Sequence, residues 1–294
     1  MNHSVQVFGY AKINLHLDIT GRREDGYHTV NTVMQTVSLC DEITVILRED
    51  EAVFASCNVD GVPSDEKNLA VRAALLLREH LGASFGAEIR IKKEIPMAAG
   101  LAGGSADAAA TLVGLNHLLG EPCSIEILCQ IGSRLGADVP FCIVGGTSFA
   151  DGKGDVLHSF PAMPDCAIVV ACEGEGVSTP WAYRRLDETF GNFDASFGYI
   201  PKSLELLKQA LEEKNLGKIS KTMFNIFEVP VLAERPVAAE LRALFLASGA
   251  LGAMMSGSGP SVFAIFSCEE EAKKAIQSLQ LKGFRGFLCH PIIP

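Results

Sequence analysis

Closely spaced cysteine pairs are missing from this chain, and so is any uninterrupted apolar run long enough to cross a membrane. The nine cysteines are scattered at 40, 57, 123, 129, 142, 166, 172, 268 and 289, with no C-x-x-C among them. That spacing argues against structural zinc and reads as reduced, mostly buried thiols in a reducing compartment. Positive charge is also scarce: Lys and Arg total 25 against 35 Asp and Glu, a formal charge of −10. A nonspecific nucleic-acid or anionic-membrane surface would want a basic stripe, so neither partner is expected. The first twenty residues lack the basic start and hydrophobic block of a signal peptide, which gives a cytoplasmic expectation. No repeat of fixed period occurs. What is present, 294 residues with 48% hydrophobic and 20% charged, describes an ordinary globular chain that most often divides in two.

One stretch organises the rest, P-M-A-A-G-L-A-G-G-S-A-D-A-A-A-T from Pro96 to Thr111. It follows an alternating, strand-like run over 88–95 and opens an alanine-rich helical segment. Gly100, Gly103 and Gly104 allow a tight turn and close approach of a ligand to the backbone. Amides after such a turn, with the unpaired N–H groups of the helix start, can cradle phosphate. Ser105 stands near the expected helix cap, where its hydroxyl can satisfy the helix or reach a metal-bound phosphate. No Gly-Lys-Ser/Thr follows the glycines and the spacing is not G-x-G-x-x-G, so neither the P-loop nor the dinucleotide fingerprint applies. Taken alone, the stretch serves equally well as a turn that lets a buried helix pack closely.

Elsewhere, Val5 to Ile19 reads as a strand with Lys12, Asn14, His16 and Asp18 on one side and Ile13, Leu15, Leu17 and Ile19 on the other. By itself the polar side reads as solvated. Asp25-Gly26 marks a turn, with Tyr27 and His28 just beyond it. Thr32 to Leu47 reads as strands broken near Cys40-Asp41. Helices are expected over Leu69–Leu81, Ser124–Leu135, Leu204–Glu213, Leu216–Asn225, Val237–Ala247 and Glu269–Leu279, and strands over Val262–Phe266 and Gly286–His290. Pro140 favours an extended Val139, so Asp138 is expected in a bend outside a helix end; capping the next short helix is its ordinary alternative. Phe190 to Pro201 reads as an irregular, aromatic flap.

Taken together, A-K-I-N-L at 11–15, the loop at 96–106 and M-S-G-S-G-P at 255–260 resemble, in order, the three motifs of the GHMP kinases. G-R-R-E-D-G-Y-H at 21–28, G-A-D-V-P-F at 136–141, G-V-S-T at 176–179 and M-F-N-I-F-E at 223–228 resemble the branch of that family acting on a cytidine-diphosphate-linked alcohol. The resemblance implies an α+β, two-domain fold: a ribosomal-protein-S5-domain-2-like part over 1–160 and a ferredoxin-like part over 161–294. It implies ATP-dependent phosphorylation of the 2-hydroxyl of a cytidylated methylerythritol, a step toward isoprenoid precursors outside the mevalonate route. Other small-molecule GHMP kinases, or a non-catalytic nucleotide-binding relative, are the alternatives.

By that resemblance Asp138 is the catalytic base, and Lys12 stabilises charge on the transferring group at a point where the two meet. Pro96, Met97, Ala98, Ala99, Gly100, Leu101, Ala102, Gly103, Gly104, Ser105 and Ala106 hold the nucleotide phosphates, with Ser105 the candidate contact to Mg²⁺. Asn14 holds the alcohol, Tyr27 stacks on cytosine and His28 reads its edge, with Phe190, Phe193, Phe197 or Tyr199 completing the sandwich. The cofactors are ATP and Mg²⁺, the partner is a small cytidine-diphosphate alcohol, and the expected state is a monomer or weak homodimer. The chain departs from the family pattern where Ala98 and Ala102 replace glycines and Ala106 replaces a second serine. An alanine methyl is tolerated at such positions if φ is negative.

Overall fold

A computed structural model of the protein describes residues 3–193 and 199–293. The chain forms two compact units that interleave along the sequence: 1–11, 39–97 and 102–145 in the first, and 12–38, 98–101 and 146–294 in the second. Two long strands, β1 (Ser4–Arg22) and β2 (His28–Arg48), each contribute one part to either unit. The break expected near Cys40-Asp41 is absent, and β2 runs through it. Asp41 is tolerated inside the strand because its carboxylate accepts from the amides of Glu94 and Ile95 and from the Lys93 ammonium.

In the first unit β2 pairs antiparallel with β4 (Gly86–Lys92), and β4 pairs in parallel with β3 (Val53–Cys57), giving the order β3-β4-β2-β1. Four helices complete this unit: α1 (Leu69–Leu81), α2 (Gly103–Leu118), α3 (Ile125–Ser133) and α4 (Asp138–Val144). The ends of α1 and α3 are set by local chemistry. Asn68 caps α1 and Gly82 closes it in the left-handed region, while Ser124 caps α3. Ile43, Val45, Ile89 and Ile91 from the sheet meet Ala70, Leu77, Ala108, Leu112 and Leu115 from the helices in one core. Alanines along α2 permit close packing, and the backbone at Ala106 lies so near Gly9 that a β-carbon there would come within 2.8 Å of its carbonyl oxygen. Asp138 is not in a bend: it is the first residue of α4. Pro140 fits in the first helical turn, where a missing N–H costs nothing.

The second unit holds β5 (Thr147–Asp151) and β6 (Val156–Ser159), with β5 paired to β2. Next come β7 (Ala167–Ala171), α5 (Thr179–Phe190), a 3₁₀ turn at Gly191–Phe193, α6 (Glu205–Glu212) and α7 (Leu216–Thr222). The short β8 (Phe224–Asn225) pairs in parallel with β1 at His16 and Leu17, where the sequence pattern suggested a continuing helix. After α8 (Glu228–Glu234) and α9 (Pro236–Ala247) come β9 (Gly252–Met255), β10 (Val262–Phe266), α10 (Glu269–Gln280) and β11 (Gly286–Cys289). The sheet order β11-β7-β10-β9, with α9 and α10 as crossovers, is the ferredoxin-like arrangement. Strands β7, β9 and β10 are buried along their whole length while β11 is half-buried, and Phe245 and Leu241 of α9 pack with Phe266 in the core.

Candidate active site

Lys12, Asn14, His16 and Asp18 are all buried, contrary to the solvated face their alternation suggests. Polar groups out of water favour partners, and a chain of hydrogen bonds supplies them for Lys12 and Asn14. The Lys12 ammonium, 5% exposed, donates to Asn14 Oδ1 at 2.7 Å. Asn14 Nδ2 donates to Thr32 Oγ1 at 2.7 Å, and that hydroxyl donates to the His16 carbonyl at 2.8 Å. Lys12 and Asn14 therefore hold fixed positions on β1 before any ligand arrives. Asp18 accepts from the Tyr199 hydroxyl and from the amides of Ile19 and Lys202; burial raises its pKa in spite of those bonds. Burial pushes the His16 imidazole down to about 4, and its Nε2 has no partner among the described residues.

The loop ahead of α2 has two non-glycine residues in the left-handed region, Ala98 at φ +51 and Ala102 at φ +59. The negative φ that would make these alanines unremarkable is therefore not what the backbone adopts. Ala102 is the residue before α2, no side chain caps that end, and Ser105 lies inside the first turn instead of at the cap. Within the second unit, residues 98–101 are held on three sides. The Lys12 amide donates to Leu101 O, the Val177 amide to Ala98 O, and Ser256 Oγ to Gly100 O. A β-carbon at Gly100 would lie 2.1 Å from Ser256 O, so the two loops meet backbone to backbone. Asn225 fixes the far loop by donating to the carbonyls of Met255 and Gly257 while accepting from the Phe227 amide. This brings the 98–101 turn, the G-V-S-T segment and M-S-G-S-G-P into one assembly.

In the first unit, Lys93 is buried between Asp41 and Asp107, with Nζ 2.5 and 2.7 Å from their carboxylates. Burial works against the Lys93 charge, but the two aspartates more than offset it and raise its pKa. Asp107, on α2, is pushed up to about 7 by burial, with Lys93 pulling the other way and Asp41 adding to the rise. Asp138 opens α4, and α4 lies against α3, where a β-carbon at Gly132 would come within 2.8 Å of Val139 Cγ1. The position of Asp138 is thus set by packing of the residues that follow it.

Tyr27 and His28 have different surroundings despite being neighbours. Tyr27 is 60% exposed beside the Asp25-Gly26 turn, with the Lys153 ammonium 4.1 Å from its ring centroid. His28, the first residue of β2, is 8% exposed. Its Nε2 lies 2.6 Å from Asp187 Oδ1, its face stacks on Tyr183 at 4.9 Å and Phe193 meets its ring edge-on. Phe190, Phe193 and Tyr199 pack on one another, whereas Phe197 lies outside the described residues. Sequence reasoning missed Thr32, Tyr183, Asp187 and Asn225. Asn225 sits inside the M-F-N-I-F-E segment, but no local pattern joins His28 to a carboxylate on α5.

No group of three or more His, Cys, Asp or Glu side chains able to hold a metal occurs among the described residues. The uncapped start of α2 and its glycines suit phosphate. No helix is long and apolar enough to cross a membrane among the described residues.

Residues 68–146 match the GHMP kinases N terminal domain, and residues 207–284 match GHMP kinases C terminal. A 4-diphosphocytidyl-2-C-methyl-D-erythritol kinase of Clostridium perfringens is 42% identical over 275 residues, 93% of this chain and 92% of that protein. A protein of the same name from Geobacter metallireducens is 42% identical over 269 residues, 92% of each chain. A crystal structure of 4-(cytidine 5'-diphospho)-2C-methyl-D-erythritol kinase superposes with a TM-score of 0.81 at 30% identity, covering 99% of this chain and 100% of the other. Homoserine kinase from Cytophaga hutchinsonii, at 23% identity and a TM-score of 0.76, covers 100% of this chain and 96% of its own and shares the fold.

Proposed function

The chain belongs to the GHMP kinases, and from that premise we propose that it transfers the γ-phosphoryl group of ATP to the 2-hydroxyl of 4-diphosphocytidyl-2-C-methyl-D-erythritol. The observation that carries this reading is 42% identity across 93% of the chain to a kinase named for that substrate. The reading carries with it a cytoplasmic enzyme of small molecules, a monomer or weak homodimer, with neither nucleic acid nor membrane as partner.

In this reading Asp138 accepts the proton of the attacking hydroxyl. A carboxylate suffices, because phosphoryl transfer passes through a loose transition state and the proton leaves late. Lys12 stabilises negative charge on the transferring group; its burial and its bond to Asn14 support a role that needs a fixed cation. Asn14 orients the alcohol. The backbone from Pro96 to Ala106 binds the nucleotide phosphates, with Ser105 Oγ the protein oxygen assigned to magnesium. When bound, that ion neutralises phosphate charge. Tyr27 supplies a stacking surface for cytosine, and its exposed ring is suited to that. His28 reads the edge of the base.

The test is transfer of phosphate from ATP to the cytidylated alcohol by the native chain, Asp138→Asn and Lys12→Ala. Each substitution lowers kcat by roughly 10²-fold or more, with both KM values little changed, because each removes an interaction of the transition state. Robust turnover by the asparagine variant excludes Asp138 as the base.

A further inference from the structure

We propose that Asp187 is a specificity-determining positioning residue: by accepting from His28 Nε2–H it leaves Nδ1 of that ring as an acceptor for the exocyclic amine of cytosine. The inference rests on the reading of His28 as the residue that meets the base, and it supplies the reason the base is cytosine and not uracil.

An ionised carboxylate has only acceptors, so the nitrogen 2.6 Å from Asp187 Oδ1 carries the proton. In a neutral imidazole the other nitrogen is then a lone pair. No second hydrogen bond to the His28 ring occurs among the described residues, and Nδ1 is not among their buried atoms without a partner. The ring has little freedom to turn over. Tyr183 covers one face at 4.9 Å and Phe193 meets it edge-on at 5.8 Å. Asp187 is held too, with Arg22 Nη1 3.7 Å from its second oxygen. Cytosine offers an amine at the position where uracil offers a carbonyl. A fixed acceptor welcomes the first and opposes the second lone pair to lone pair, which is a stronger discrimination than a missing contact.

Two measurements test this on the full-length protein. Nitrogen-15 NMR of the ligand-free chain reads the His28 tautomer directly; the expected state is Nε2 protonated and Nδ1 bare, and a protonated Nδ1 overturns the proposal. Steady-state kinetics then compare the cytidine-diphosphate substrate with its uridine-diphosphate analogue. In Asp187→Asn the amide can present its NH₂ to Nε2 and release the opposite tautomer. The KM for the cytidine substrate is expected to rise about tenfold or more, the scale of one hydrogen bond, while the uridine analogue improves or stays level. KM for ATP stays unchanged, and Asp187→Glu restores part of the preference. A purely structural role instead raises both nucleotide KM values together. If His28→Ala leaves the cytidine KM unaltered, the assignment of the base site falls and this proposal with it. If His28→Ala raises that KM but Asp187→Asn keeps the cytosine preference, only the role of Asp187 falls.

Discussion

Ala98 and Ala102 hold left-handed backbone that an L side chain with a β-carbon enters only at a cost of about 1–2 kcal/mol. What keeps them there is a set of backbone bonds on either side: the Lys12 amide to Leu101 O and the Val177 amide to Ala98 O. Replacing Ala102 with glycine removes the cost in the folded state, though the looser unfolded chain takes back about 0.4–1 kcal/mol. The expected net effect of Ala102→Gly is a gain of about 0.5–1 kcal/mol in urea unfolding, and a loss of stability contradicts a strained alanine. Sequence alone singled out both alanines as departures from a glycine pattern, but not the sign of their φ. That sign depends on which distant amide each loop carbonyl faces.

At the scale of elements, the loop after β9 keeps its shape because Asn225 offers both amide hydrogens to the carbonyls of Met255 and Gly257. Asn225→Ala leaves two buried acceptors without that donor, at about 1–3 kcal/mol for each such group. The expected loss is about 2–4 kcal/mol by denaturant unfolding, with a rise in KM for ATP if the loop supports the 98–101 turn to which it is bonded. A loss below about 0.5 kcal/mol means that the loop is held by its other contacts. Elements with local signals were legible beforehand: α1 through its leucine-bearing run ending at Gly82, α3 through Ser124, and β10 through its apolar run. The unread ones depend on remote partners. Strand β8 exists because it pairs with His16 and Leu17, over two hundred residues earlier, and β2 continues through Asp41 because Lys93 and two amides from another segment receive it. Lys12, Asn14 and Asp138 were legible as candidates because they sit in short, specific motifs. Asp187 was not, since its partner is 159 residues away.

The whole molecule feels two buried titrating groups with opposite pH signatures, and these give its stability profile a testable form. Burial raises Asp107 from 3.8 to about 7, so between those values the native chain holds a proton that the unfolded chain has released. Its contribution therefore worsens as pH climbs toward 7 and is level above. His16, lowered from 6.5 to about 4, behaves oppositely: between those values the unfolded chain takes up a proton that the native chain refuses, so stability falls as pH falls. Asp107→Asn leaves Lys93 and Asp41 as a one-to-one pair. Its advantage over the native chain should grow as urea midpoints are followed from pH 5.5 to 7.5. His16→Leu removes the unpartnered nitrogen, and its advantage should grow in the other direction, from pH 6.5 down to 5.5. A pH-independent difference for Asp107→Asn would mean that the carboxylate is ionised throughout, and that burial beside Asp41 costs it less than the field of Lys93 returns.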